Sequence, residues 1–239
     1  MISVVGNSSG TACVNGHMLR FDKTDHVRVV FVGIGIALVA LSAATTLAQS
    51  ISGLVSAGPV TTHMLMHLAL MNVAGPFAGL CVIQIVKRSW SAGELALAGV
   101  AQILLLWAWH SPAAFDWAHH SSLTMAAMHV SLYLTAILFW AAVFGAERDA
   151  RWMSIATVLV TGKLFCLLAV LLALSPRVLY LLSSHHASAV ALADQQFAGL
   201  IMIVACPLTY VLAGVVIASR WLLEIESRST GSATLLHSE

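Results

Sequence analysis

His63 and His67 stand four residues apart in an apolar run, a spacing that puts two imidazoles one turn apart on one face of a helix. Met71 continues that stripe. Neutral imidazole and thioether are ligands for a soft or borderline metal, copper above all, and a helix surrounded by lipid has no use for them. The competing reading is a polar seam, in which the histidines bond to neighbouring helices and methionine fills a gap. HMLMH also has the spacing of a zinc-protease helix, but Met64 stands where the general-base glutamate would follow the first histidine, and no GxSxG elbow occurs. Neither hydrolase class is supported, and no enzymatic activity is expected.

The other candidate donors are His110, Met125, Met128 and His129, with Asp116 and Asp194 as ligands or as acceptors that orient imidazoles. Asp194 has a second reading as the N-cap of its own helix. His119, His120, His185 and His186 read as loop histidines, solvated or capturing metal loosely. Of the cysteines, Cys13 lies in a polar stretch, and Cys81, Cys166 and Cys206 fall singly in apolar runs. With no closely spaced pair, they read as core residues rather than a thiol clamp.

These residues need a scaffold, and composition says which. The chain is 59% hydrophobic and 9% charged, which excludes an ordinary soluble domain. A net charge of +1 offers no basic field for nucleic acid, and the expected surroundings are membrane lipid. Six apolar runs, about 28 to 48, 61 to 86, 93 to 112, 123 to 145, 152 to 174 and 195 to 219, are each near the length that crosses a bilayer. The expected fold is an all-α polytopic bundle: a polar tail over 1–26, a helical membrane domain over 27–220 and a C-terminal tail over 221–239.

Charge predicts the orientation. Arg20, Lys23, Arg28, Lys87, Arg88, Arg148, Arg151, Arg220 and Arg228 all flank one side, whereas the opposite connections carry only Arg177. By the positive-inside rule both termini are cytoplasmic. Eight of the eleven histidines then gather at the outer side. Lys163, near the middle of the fifth run, is expected to face the bundle and meet Asp194 or a carbonyl. Pro112 is expected to end the third helix at His110 and to start a short interfacial helix carrying Asp116, Trp117, His119 and His120.

Three functions fit such a layer of donors. Copper(I) accepts histidine and methionine in sites of two to four ligands. A bis-histidine haem pairing His67 with His129 is an alternative, although the inner side offers only His26 for a second haem. A copper transporter would need ligands at successive depths.

Four blocks in order resemble the CtaG family of polytopic membrane cytochrome c oxidase assembly factors. HMLMHLALMNVAGPFAGL is similar to its opening HxxxH helix and following turn, here Ala74, Gly75 and Pro76. WHSPAAFDWAHH resembles its Trp-His-x-Pro-x-x-Tyr-Asp segment, with Phe115 in the tyrosine place. MHVSLYLTAILFW resembles its histidine helix ending in Phe-Trp, and ALADQQFAGLIM its Asp-Gln-Gln-x-Ala-Gly-Leu segment. The resemblance implies a role in maturing haem-copper oxidases by delivering copper to subunit I, with a periplasmic copper chaperone as a candidate donor. It implies His63, His67, His110, Asp116, His129 and Asp194 as the functional residues, in a bacterial cytoplasmic membrane with the site facing outward. Relatives often carry His-x-x-Glu-His where this chain has Met125 and Met128 before His129, a change that softens the site. They also commonly have seven spans against six here.

Overall fold

A computed structural model describes residues 13–14, 17–18, 23–180 and 188–236. Apart from a two-residue antiparallel pairing of Cys13–Val14 with His17–Met18, the described residues are helical or lie in short connections. The helices are α1 (Lys23–Leu54), α2 (Pro59–Leu68), α3 (Gly75–Val86), α4 (Ala92–Trp109), α5 (Pro112–His119), α6 (Ser122–Phe144), α7 (Arg151–Leu174) and α8 (Ser188–Leu236). A π-helical turn, Ala69–Ala74, joins α2 to α3 in one span, so six spans are long and apolar enough to cross a membrane. The protein is a multi-pass membrane protein.

The spans form a ring. The α2/α3 span packs on α6, α6 on α4, α4 on α7, and α7 on α8, whose first half returns to α2. Helix α1 lies outside, against α3 and the π turn. Aromatic rings fill the centre: Trp140 stacks on Tyr210 at 5.4 Å, and Phe139 and Phe165 meet Tyr210 from either side. At the end away from the histidines, Trp90 joins two connections, its N–H donating to the Gly145 carbonyl at 2.9 Å and its carbonyl accepting from Glu147 at 3.0 Å. A capping box between Ser91 and Glu94 starts α4, Arg88 pairs with Glu94, and Arg151 pairs with Glu224 at 2.5 Å.

The π turn has a cause in the sequence. Pro76 has no N–H and cannot continue a regular helical ladder. The Gly75 N–H reaches back five residues to the Leu70 carbonyl, which leaves the Met71 carbonyl facing Pro76 with no backbone donor. The Trp140 indole supplies it, donating to Met71 O at 3.0 Å. In hydrocarbon every such group must find a partner within the protein, so this bond fixes α6 against the histidine span.

Two expectations need correction. Helix α8 is not confined to 195–219: it begins at Ser188 and runs to Leu236, through the stretch read as a tail, because neither flank holds a proline. Asp194 is therefore in its second turn and does not cap it. Lys163 does not face the bundle or meet Asp194; it is exposed on the outer side of α7, because its neighbours Thr161, Gly162 and Phe165 are the residues buried against other helices.

The Asp-Gln-Gln-x-Ala-Gly-Leu block clasps α7 to α8. Gln195, fully buried, accepts from the Leu179 N–H at 2.6 Å and donates to the Arg177 carbonyl at 3.2 Å, and Gln196 donates to the Ser175 carbonyl at 3.3 Å. One turn on, a Cβ on Gly199 would stand 2.5 Å from the Ala173 nitrogen and 2.7 Å from the Ala169 carbonyl oxygen. Backbone cannot give way, so Gly199→Ala is expected to part the two helices and cost about 1–3 kcal/mol. Thermal unfolding in detergent measures this; Lys163→Leu, on the exposed face of α7, is expected to leave the midpoint unchanged or raise it.

Candidate metal centre

Helix α2 has its first turn held from across the bundle. The Asp194 carboxylate accepts from the Val60 N–H at 2.8 Å and the Thr61 N–H at 3.2 Å, and the Thr61 hydroxyl donates to the Asp194 carbonyl at 3.1 Å. Free N–H groups at a helix start attract a carboxylate, and here the cap comes from another span. Gly58 makes the space, since a Cβ there would lie 2.3 Å from the Asp194 Cγ.

One turn further along α2, His63 and His67 are both buried, and their Nε2 atoms lie 2.7 Å apart. His129 of α6 stacks its ring on His67 at 4.9 Å with 9° between the planes. These three each offer a nitrogen within 4.8 Å of the others. Two donors bound to one ion at about 2 Å each stand up to about 4 Å apart, so small ring rotations bring all three onto one metal. His110, which closes α4, sets its ring 5.1 Å from that of His67.

His119, read as a loop histidine either solvated or capturing metal loosely, stands beside this group. It lies half-buried at the end of α5 with its ring 5.1 Å from that of His63. Phe115, one turn back, is buried among the histidines, with its ring 4.8 Å from His63 and 4.5 Å from His119. The 115/119 spacing within a short helix after Pro112 was the available signal. His120 is exposed, and His185 and His186 lie outside the described residues.

The ring nitrogens are already sorted. His110, His119 and His129 each place Nδ1 within 2.8–2.9 Å of a carbonyl four residues earlier, those of Leu106, Phe115 and Met125. A carbonyl only accepts, so Nδ1 carries the proton and Nε2 keeps its lone pair. The Nε2 atoms of His110 and His129 are buried with no partner among the described residues, as is Nδ1 of His67. Buried ring nitrogens without a partner are costly, and a bound cation would satisfy those that face it.

Tyr180, which sequence reasoning did not single out, also packs against the candidate site. Its hydroxyl donates to the His110 carbonyl at 2.7 Å and its ring stacks on Phe115 at 3.9 Å. Burial pushes that hydroxyl's pKa up, so it remains a donor. No spacing announces it, because its partner is 70 residues away.

The remaining candidates do not join the five rings. Asp116 is exposed, its carbonyl accepting from His120, and both Asp194 oxygens are engaged at α2. Met128 is buried in the hydrophobic core and Met125 is half-buried beside it. Met71 lies inward of the cluster, lining a small cavity with His67 and His110. Among the described residues no carboxylate is within the group of histidines.

The family model described as cytochrome c oxidase caa3 assembly factor (Caa3_CtaG) matches residues 17–224. No curated protein and no solved structure matches the chain. All four sequence blocks fall within the match, and the last of them supplies the Asp194 clamp. Asp194→Ala is expected to lower stability by about 0.5–2 kcal/mol by freeing the α2 start. Gly58→Ala, which leaves the carboxylate but displaces it, is expected to lower the detergent unfolding midpoint in the same direction; a midpoint unmoved in both variants would show that the clamp does not hold α2.

Proposed function

The chain belongs to the cytochrome c oxidase caa3 assembly factor family, and on that premise we propose that it holds copper(I) on its histidine cluster and passes it to the oxidase during assembly. The observation that carries this reading is a group of imidazoles, His63 and His67 buried and His129 half-buried, with no carboxylate among them. A divalent ion would bring two uncompensated charges into an apolar bundle, a cost that grows steeply with charge. A monovalent soft cation brings one and prefers nitrogen and sulfur. His63, His67 and His129 are the ligands, with His110 and His119 as further donors for exchange. No covalent chemistry is involved, only replacement of one ligand by another.

A bis-histidine haem is the less favoured reading. A porphyrin has to stand between its axial imidazoles, and rings stacked at 4.9 Å leave it no room. The proposed orientation follows the charges: the end with Lys87, Arg88, Arg148, Arg151 and Arg220 is cytoplasmic and the cluster opens outward. Oxidase subunit I is the proposed acceptor, with a periplasmic chaperone as donor.

Full-length protein in detergent, loaded anaerobically with copper(I) and assayed by mass spectrometry and absorption spectroscopy, tests the proposal. Bound copper without a haem band is expected, with one ion per chain lost in His63→Ala/His129→Ala. In cells lacking the wild-type protein that variant is expected to leave the oxidase immature and short of copper. Copper retention equal to wild type in the variant, or a haem band in the purified protein, would sink the reading.

A further inference from the structure

Directly inward of the histidines the bundle encloses a cavity of about 10 Å³, room for one water-sized body. Its lining includes His67, Met71, Asn72, His110, Met202 and Cys206. The three sulfur residues are buried, at 2%, 3% and 1% exposure. Met202 and Cys206 are one turn apart on α8, and Met71 faces the cavity from the π turn.

Methionine and cysteine commonly fill core gaps. Here they border a gap that is left open, and two of the residues that line it carry unpartnered nitrogens: Nε2 of His110 and Nδ1 of His67 have no hydrogen-bond partner among the described residues. Polar atoms buried without partners are costly, and a bound cation would relieve His110 and His67 while drawing the sulfurs together.

We propose that Met71, Met202 and Cys206 form a second, sulfur-rich copper(I) site one layer inward of the histidine cluster, with His110 bordering both. It rests on the reading that the cluster takes copper(I). When the ion binds, a copper–sulfur bond forms at Cys206, its S–H bond breaks and the proton leaves to solvent; the oxidation state is unchanged. The thiolate cancels the charge of the ion, so the inner centre is neutral where the outer one is cationic. That difference lets the ion sit deeper in an apolar bundle and gives the pair of sites a direction.

The test is anaerobic copper(I) loading of the full chain in detergent, with metal counted by mass spectrometry and ligands identified by X-ray absorption at the copper edge. Wild type is expected to hold two ions with mixed nitrogen and sulfur neighbours. Met202→Leu/Cys206→Ser is expected to hold one, with nitrogen neighbours only, and His63→Ala/His129→Ala to hold one dominated by sulfur. A wild-type spectrum free of sulfur, which depends on no variant folding, overturns the second site and leaves the histidine cluster standing. Sulfur neighbours that persist unchanged in Met202→Leu/Cys206→Ser overturn it as well. Failure of the cluster reading has a different signature, copper content unchanged when His63 and His129 are replaced.

Discussion

A backbone carbonyl or N–H without a partner is expensive in hydrocarbon, and the histidine span has several to satisfy. Its first N–H groups are open like those of any helix start, and Pro76 removes a donor farther along. Asp194 answers the first need and the Trp140 indole the second. The two partners come from α8 and α6, so satisfying the backbone also fixes which helices flank the histidines. His129 arrives on α6, and Met202 and Cys206 on α8. The site's walls are thus a consequence of hydrogen-bond accounting in the helix that carries its first two histidines.

The cluster then depends on a property of helices themselves. A histidine whose Nδ1 bonds the carbonyl four residues back is locked in one tautomer and points Nε2 away from its own backbone. His110 and His129 do this on two long helices and His119 on a short one. No carboxylate is needed to orient them, and none is present among them. In many metal sites an acidic residue holds the far ring nitrogen. Using carbonyls instead keeps the group uncharged, which suits the proposed monovalent cargo.

Much of this was legible in the residues. Length and hydropathy decide the spans, Pro112 starts α5, and the four-residue spacing puts His63 and His67 on one face. What periodicity cannot say is which neighbour a face meets. In a membrane the outer surface is as apolar as the core, so the pattern that would mark an inward side in a soluble helix is weak. Lys163 illustrates this: its charge argued for the interior, but packing at Thr161, Gly162 and Phe165 turned it outward. Asp194 was read as a ligand, an acceptor for an imidazole or the cap of its own helix; the carboxylate instead reaches Val60 and Thr61, 134 and 133 residues away in the chain. Tyr180 was missed for the same reason, its contacts being made between segments rather than within one.

The number of imidazoles bears on how a carrier of this kind would work. Copper(I) takes two to four ligands, and the rings of His67, His110, His119 and His129 stand 4.4–6.4 Å from that of His63. A single tight trio would bind well and release slowly, since every ligand would have to be lost before the ion could leave. With surplus donors, each bond that breaks is replaced by one to a neighbouring ring, and the ion is never bare in a medium where a bare charge is prohibitive. His110 bordering both the cluster and the inner cavity extends that sequence by one step. On the proposed reading, rapid exchange and secure retention therefore come from the same feature, a crowd of equivalent neutral donors.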